Sequence, residues 1–162
     1  RAYRSRMGQT NGHSSEDGAA AEARKIAEVR GFFKAVDMLL GTFGFLATAG
    51  EIKAAQGRRT ILAISDLKYQ KATFYLEVVG LAIREVPPYE QFNTKIEAPI
   101  DTVIRVLKGI TEGERNVLVD EKSRAQATLK GDYSVHDLLQ MNEGFNRLAD
   151  GIKRYRALLS SG

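Results

Sequence analysis

The 162-residue chain has no cysteine. Disulfide frameworks, thiol nucleophiles and thiolate metal sites are therefore excluded. Its 2 histidines rule out any site that needs three of them, and its 3 prolines make backbone breakers few. No apolar run reaches the roughly 18 residues of a membrane-spanning helix. The longest such stretch, residues 35–49, is interrupted by Asp37, Gly41, Thr42, Gly44 and Thr48. A strong excess of one charge is also missing. The net charge of +4 arises from 24 Lys and Arg interspersed with 20 Asp and Glu. Such a mixture is a solvated surface rather than the basic face of a nucleic-acid binder.

What is present suits a folded domain. Hydrophobic residues make up 43% and charged residues 27%, and the length allows one domain with a real core. Residues 1–17 offer only Ala2, Tyr3 and Met7 as apolar side chains, too few to offset the entropy of ordering them. They are expected to form a disordered polar tether or an appended tail, with residues 18–162 as a single helical-bundle domain. The first residue is Arg1 rather than Met, which suggests a processed or trimmed product and leaves a preceding anchor open.

Helical spacing dominates the remainder. Ile26, Val29, Phe33, Val36, Leu40, Phe43 and Ala47 step by three and four, one stripe of a helix that starts near Ser14 or Ser15. A second helix is expected over residues 60–86, apolar nearly all round in ATFYLEVVGLAI and ended by Pro87-Pro88. A third begins between Thr94 and Pro99, where Thr94 and Glu97 have capping-box spacing, and carries Ile100, Val103, Ile104, Leu107 and Ile110. The polar run at 111–116 kinks or splits it. The fourth has Ser134 as its cap, Tyr133 and Leu138 as a staple, and a stripe through Leu138, Met141, Phe145, Leu148, Ile152, Tyr155 and Leu159. No Asn-Gly or Asp-Gly turn lies between alternating runs to signal a hairpin. The expected fold is all-α: an elongated antiparallel four-helix bundle with coiled-coil-like packing.

Catalytic chemistry is hard to assemble from these residues. A bundle di-iron site needs Glu-x-x-His pairs, yet Thr10 and Tyr133 stand three before His13 and His136. No metal or cofactor is expected, and His136 is taken as a surface residue. The serines find no histidine partner for a triad, so no catalytic residue is assigned and the chain is expected not to be an enzyme. Arg58 and Arg59 precede an expected helix start and are the candidate anion contact. Glu77 interrupts an apolar run without a cation three or four residues away, so it points to solvent or pairs with another helix.

The stretch 38–50, MLLGTFGFLATAG, wraps apolar side chains around more than one helix face. Leu39, Phe43, Phe45 and Leu46 form the candidate interaction surface, with Gly41 and Gly44 allowing close approach. The leading expectation is a non-enzymatic helical interaction or assembly protein, an adaptor or a subunit of a larger complex. Its partner would be another protein or a second copy, with membrane attachment only through a missing N-terminal anchor. The alternative is an apolar-ligand-binding or membrane-active helical bundle that uses residues 38–50. Nucleic acid is not an expected partner, and localisation leans slightly to an exported or periplasmic protein.

Overall fold

A computed structural model describes residues 2–44, 49–80, 82–132 and 135–161. The fold is α+β, not all-α. Among the described residues, five α-helices accompany a five-stranded mixed sheet. The four-helix bundle and its coiled-coil-like packing are thereby corrected.

The main correction falls on residues 60–86. In place of one long helix stand three strands: β1 (Arg59–Ile64), β2 (Thr73–Val79) and β3 (Ala82–Glu85). The β2 sequence is rich in β-branched and aromatic residues, which fit a pleated surface better than a helix. Its burial alternates, with Phe74 and Leu76 buried and Thr73, Tyr75 and Glu77 more open. A polar stretch, residues 65–72, links β1 to β2. Gly80 takes a left-handed backbone (φ 63°) at the turn into β3, a conformation that suits a residue without Cβ.

The Thr94 and Glu97 pair belongs to a further strand, β4 (Thr94–Ala98), rather than to a capping box. With β5 (Thr128–Gly131) the sheet has the order β3-β2-β1-β4-β5. Among the described strand pairs, only β1 and β4 run parallel. In register, Leu62 lies opposite Phe74 on one side and Ile96 on the other, so one sheet face is apolar.

That face packs on α1 (Ala2–Phe43) and α3 (Ile100–Glu112). Leu62, Phe74, Leu76 and Ala98 share a core with Ile26, Val29, Ile100 and Val103. The helical stripes are thus real, but they serve a sheet rather than each other. A second core joins α1 and α3 to α5 (Val135–Ser161) through Val36, Ile110, Leu148 and Ile152. The α5 stripe is only partly used: Leu148 and Ile152 are buried, while Met141, Tyr155 and Leu159 are exposed.

Helix α3 stops at Gly113, which has a left-handed backbone (φ 79°) and donates to the Gly109 and Ile110 carbonyls. A 3-10 turn (Val117–Val119) and a short helix, α4 (Glu121–Gln126), follow, the latter capped by the Asp120 side chain. A further short helix, α2 (Ala49–Ala55), precedes the sheet. The outer edge of β3 is closed by α1, since Ile83 N–H donates to Asp37 Oδ1 at 2.9 Å. No helix of the described residues is long and apolar enough to cross a membrane.

Candidate functional site

An apolar pocket of about 140 Å³ lies where the β2–β3 hairpin meets α2 and α5. Val78, Ala82 and Ile83 come from the hairpin, Leu40 from α1, and Ile52 and Ala55 from α2. Helix α5 contributes Met141, Gly144 and Phe145. Such a wall, apolar with a few polar groups, is typical of small-molecule sites.

Local chemistry fixes these walls. After α2 the chain reverses at Gly57 (φ 71°). Gly57 N–H donates to Val78 O at 3.0 Å, and Val78 N–H donates to Arg58 O at 3.0 Å. Gln56 then clasps the hairpin turn from both sides. Its Nε2 donates to Gly80 O at 2.7 Å, and its Oε1 accepts from Gly80 N–H at 3.0 Å. Helix α2 is therefore tied to the sheet through its C-terminal end. On its other side it is tied to α5 by an ion pair between Glu51 and Arg147.

Four polar residues border the pocket: Glu51, Arg58, Asp137 and Gln140. Arg58 Nη1 lies 3.5 Å from Asp137 Oδ2, and the Arg58 side chain is only 18% exposed against 36% for Asp137. A second concavity, lined by Arg115, Glu143, Asn146, Arg147 and Asp150, is polar. There Arg115 Nη1 reaches both Asp150 oxygens at 2.6 Å. No group of three His, Cys, Asp or Glu residues is placed to hold a metal among the described residues.

The two candidate anion residues part company. Arg58 reaches the pocket. Arg59, on β1, pairs instead with Glu77 across the strand at 3.3 Å and lies over the Tyr89 ring, 4.8 Å from its centroid. Glu77 thus finds its cation in a neighbouring strand, not a neighbouring helix. Of the candidate interaction surface, Leu39 and Phe43 pack against the second core. The Phe43 ring meets Tyr155 edge-on with centroids 6.1 Å apart. Phe45 and Leu46 lie outside the described residues. His136 is exposed near the start of α5. The hairpin and α5 linings were missed, because their grouping depends on strands that the helical pattern concealed.

No family model and no curated protein matches the chain. Two solved structures are similar to it. One is a ubiquinone synthesis protein, UbiJ-SCP2, with 14% identity and a TM-score of 0.45, covering 73% of this chain and 92% of that one. The other is a conserved hypothetical protein of Thermus thermophilus, described as a candidate sterol carrier protein. It has 17% identity and a TM-score of 0.42, covering 76% of this chain and 82% of that one. Both likenesses are distant.

The expectation of a helical interaction or assembly protein is corrected along with the bundle on which it stood. The stripes assigned to partner binding are spent on a sheet and a second core. The similar structures are of a ubiquinone synthesis protein and a candidate sterol carrier protein, not of helical adaptors.

Proposed function

We propose that the chain is a non-catalytic binding module for an apolar small molecule, or for the apolar end of a longer one. The observation that carries this reading is the pocket between the hairpin, α2 and α5. An unfilled apolar cavity costs about 24 cal/mol per Å³, so 140 Å³ corresponds to at most about 3 kcal/mol that a fitting ligand can recover. Partial opening to solvent lowers that figure. A cavity of about 150 Å³ takes a single benzene ring. The pocket therefore suits one ring or a short length of chain, with the rest of a larger ligand lying in the mouth. Met141 adds a flexible side chain able to adapt to different shapes.

The test is a calorimetric titration with n-decanol. Binding with a negative heat-capacity change is expected, as apolar burial requires. Ala55→Phe, which places a ring in the pocket wall, should abolish that binding while leaving the circular dichroism spectrum unchanged. Equal binding by the parent and a folded Ala55→Phe variant, or no binding by the parent, would reject the proposal.

A further inference from the structure

We infer that the pocket selects an amphiphile with one anionic head, and that Arg58 receives this head in place of Asp137. This rests on the apolar-ligand reading and adds the chemistry of the polar end.

Arg58 lines an apolar wall with its side chain largely buried. A guanidinium in such a place needs a counter-charge. Its carboxylate partner, Asp137, stands off at 3.5 Å. A good charge-assisted N–H···O contact is nearer 2.8 Å and is often bidentate for arginine. The contrast with Arg115, held at 2.6 Å from both oxygens of Asp150, is internal to this chain. The five donors of the Arg58 fork are therefore poorly used by one distant oxygen.

The pair is also asymmetric. The backbone of Arg58 is pinned, its N–H donating to Ala55 O at 3.2 Å and its carbonyl accepting from Val78. Its head group cannot move far into water. Asp137 is twice as exposed, at 36% against 18%, so it can turn to solvent at lower cost. A ligand carboxylate or phosphate monoester that took its position would keep the site neutral and match the planar fork. Glu51, the other carboxylate that lines the pocket beside Asp137, is neutralised by Arg147, which limits its repulsion of an incoming anion.

The experiment compares n-decanol, decanoate and decyl phosphate, one chain with three heads, by calorimetric titration below their aggregation limits. The parent should bind at least one anion about tenfold or more tighter than the alcohol, since hydrogen bonds to charged groups are worth that much. The tighter of the two anions identifies the head as carboxylate or phosphate. Arg58→Gln should erase the preference while leaving decanol binding within about twofold, and Arg58→Lys should restore part of it. If Arg58→Gln does not fold, Asp137→Asn carries the test. Removing the competing carboxylate should strengthen anion binding and leave decanol unchanged. Equal affinity of the parent for all three heads, or no gain of anion affinity in a folded Asp137→Asn, overturns the inference and leaves the pocket reading intact. No binding of any of the three overturns both.

Discussion

Replacing Gly144 by Ala is expected to move stability and ligand affinity in opposite directions. Gly144 lies inside α5, whose span is Val135–Ser161. A Cβ built there meets Glu51 Oε2 at 3.9 Å and nothing nearer, an ordinary contact. The helix then gains the propensity difference between Gly and Ala, about 0.5–1 kcal/mol. For a chain of this length, 1 kcal/mol shifts Tm by roughly 2–4 °C. The same methyl group, however, enters the wall of a pocket of about 140 Å³. One methylene in a hydrophobic site is worth about 1–3 kcal/mol of discrimination, so affinity for a well-fitting ligand should fall by about fivefold or more. Thermal melts and decanol titrations on one preparation measure both quantities. A lowered Tm would mean that Gly144 is more tightly packed than its surroundings indicate. A raised Tm with unchanged affinity would mean that the ligand does not sit beside α5, and the assignment of this pocket as the site would fail.

Two further outcomes test the fold itself. Phe74→Ala should cost about 3–5 kcal/mol in urea melts, because its ring is fully buried and meets Phe33 edge-on at 5.3 Å. Tyr75→Ala should cost clearly less, its ring being half-buried against Tyr89, and equal losses would contradict the strand alternation. The carboxyl of Asp120 is held below its ordinary range by hydrogen bonds from Ser123, then by Arg105, and that of Asp150 by Arg115. A depressed carboxylate contributes stability that is present above its unfolded pKa, about 4, and lost as pH falls through the lower folded value. The urea midpoint should therefore drop below pH 4, and Asp120→Asn should flatten that drop; a slope unchanged by the substitution would remove Asp120 from the account.

Much of the helical half of the fold is visible in the sequence. The stripe through Ile26, Val29 and Val36 is the buried face of α1, and Ile100, Val103 and Ile110 are buried in α3. Residues 60–86 were opaque because a continuous apolar run reads alike as a buried helix or as paired strands. The arbitrating signals were local. Thr, Tyr, Phe and Val crowd β2, and Gly80 breaks the run where the hairpin turns. Glu77 was the sharpest of them. Its lack of a cation at helical spacing is a fault in a helix and no fault in a strand, where Arg59 sits directly opposite in register. Strand alternation also separates Arg58 from Arg59, two residues that a helix-start reading treats as one charged turn.

The apolar surplus of residues 38–50 has a structural explanation that needs no external cover for its described part. A helix that packs on a sheet requires one stripe. Near Asp37, α1 has reached the β3 edge, where the inward pair Val78 and Ile83 ends the hairpin. Beyond it, Leu39 and Phe43 turn to the second core shared with α3 and α5, and Leu40 faces the pocket. Two kinds of neighbour demand two apolar sides. The pocket lies at this seam because α5 meets α2 through the Glu51–Arg147 pair and the hairpin meets α2 through the Gln56 clasp. Both ties run through polar groups of α2 and the residue that follows it, and the apolar side chains they bring around the gap enclose it without filling it. Loosening either tie should therefore change ligand entry before it changes the core formed by Phe74, Val29 and Ile100, which shares none of these contacts.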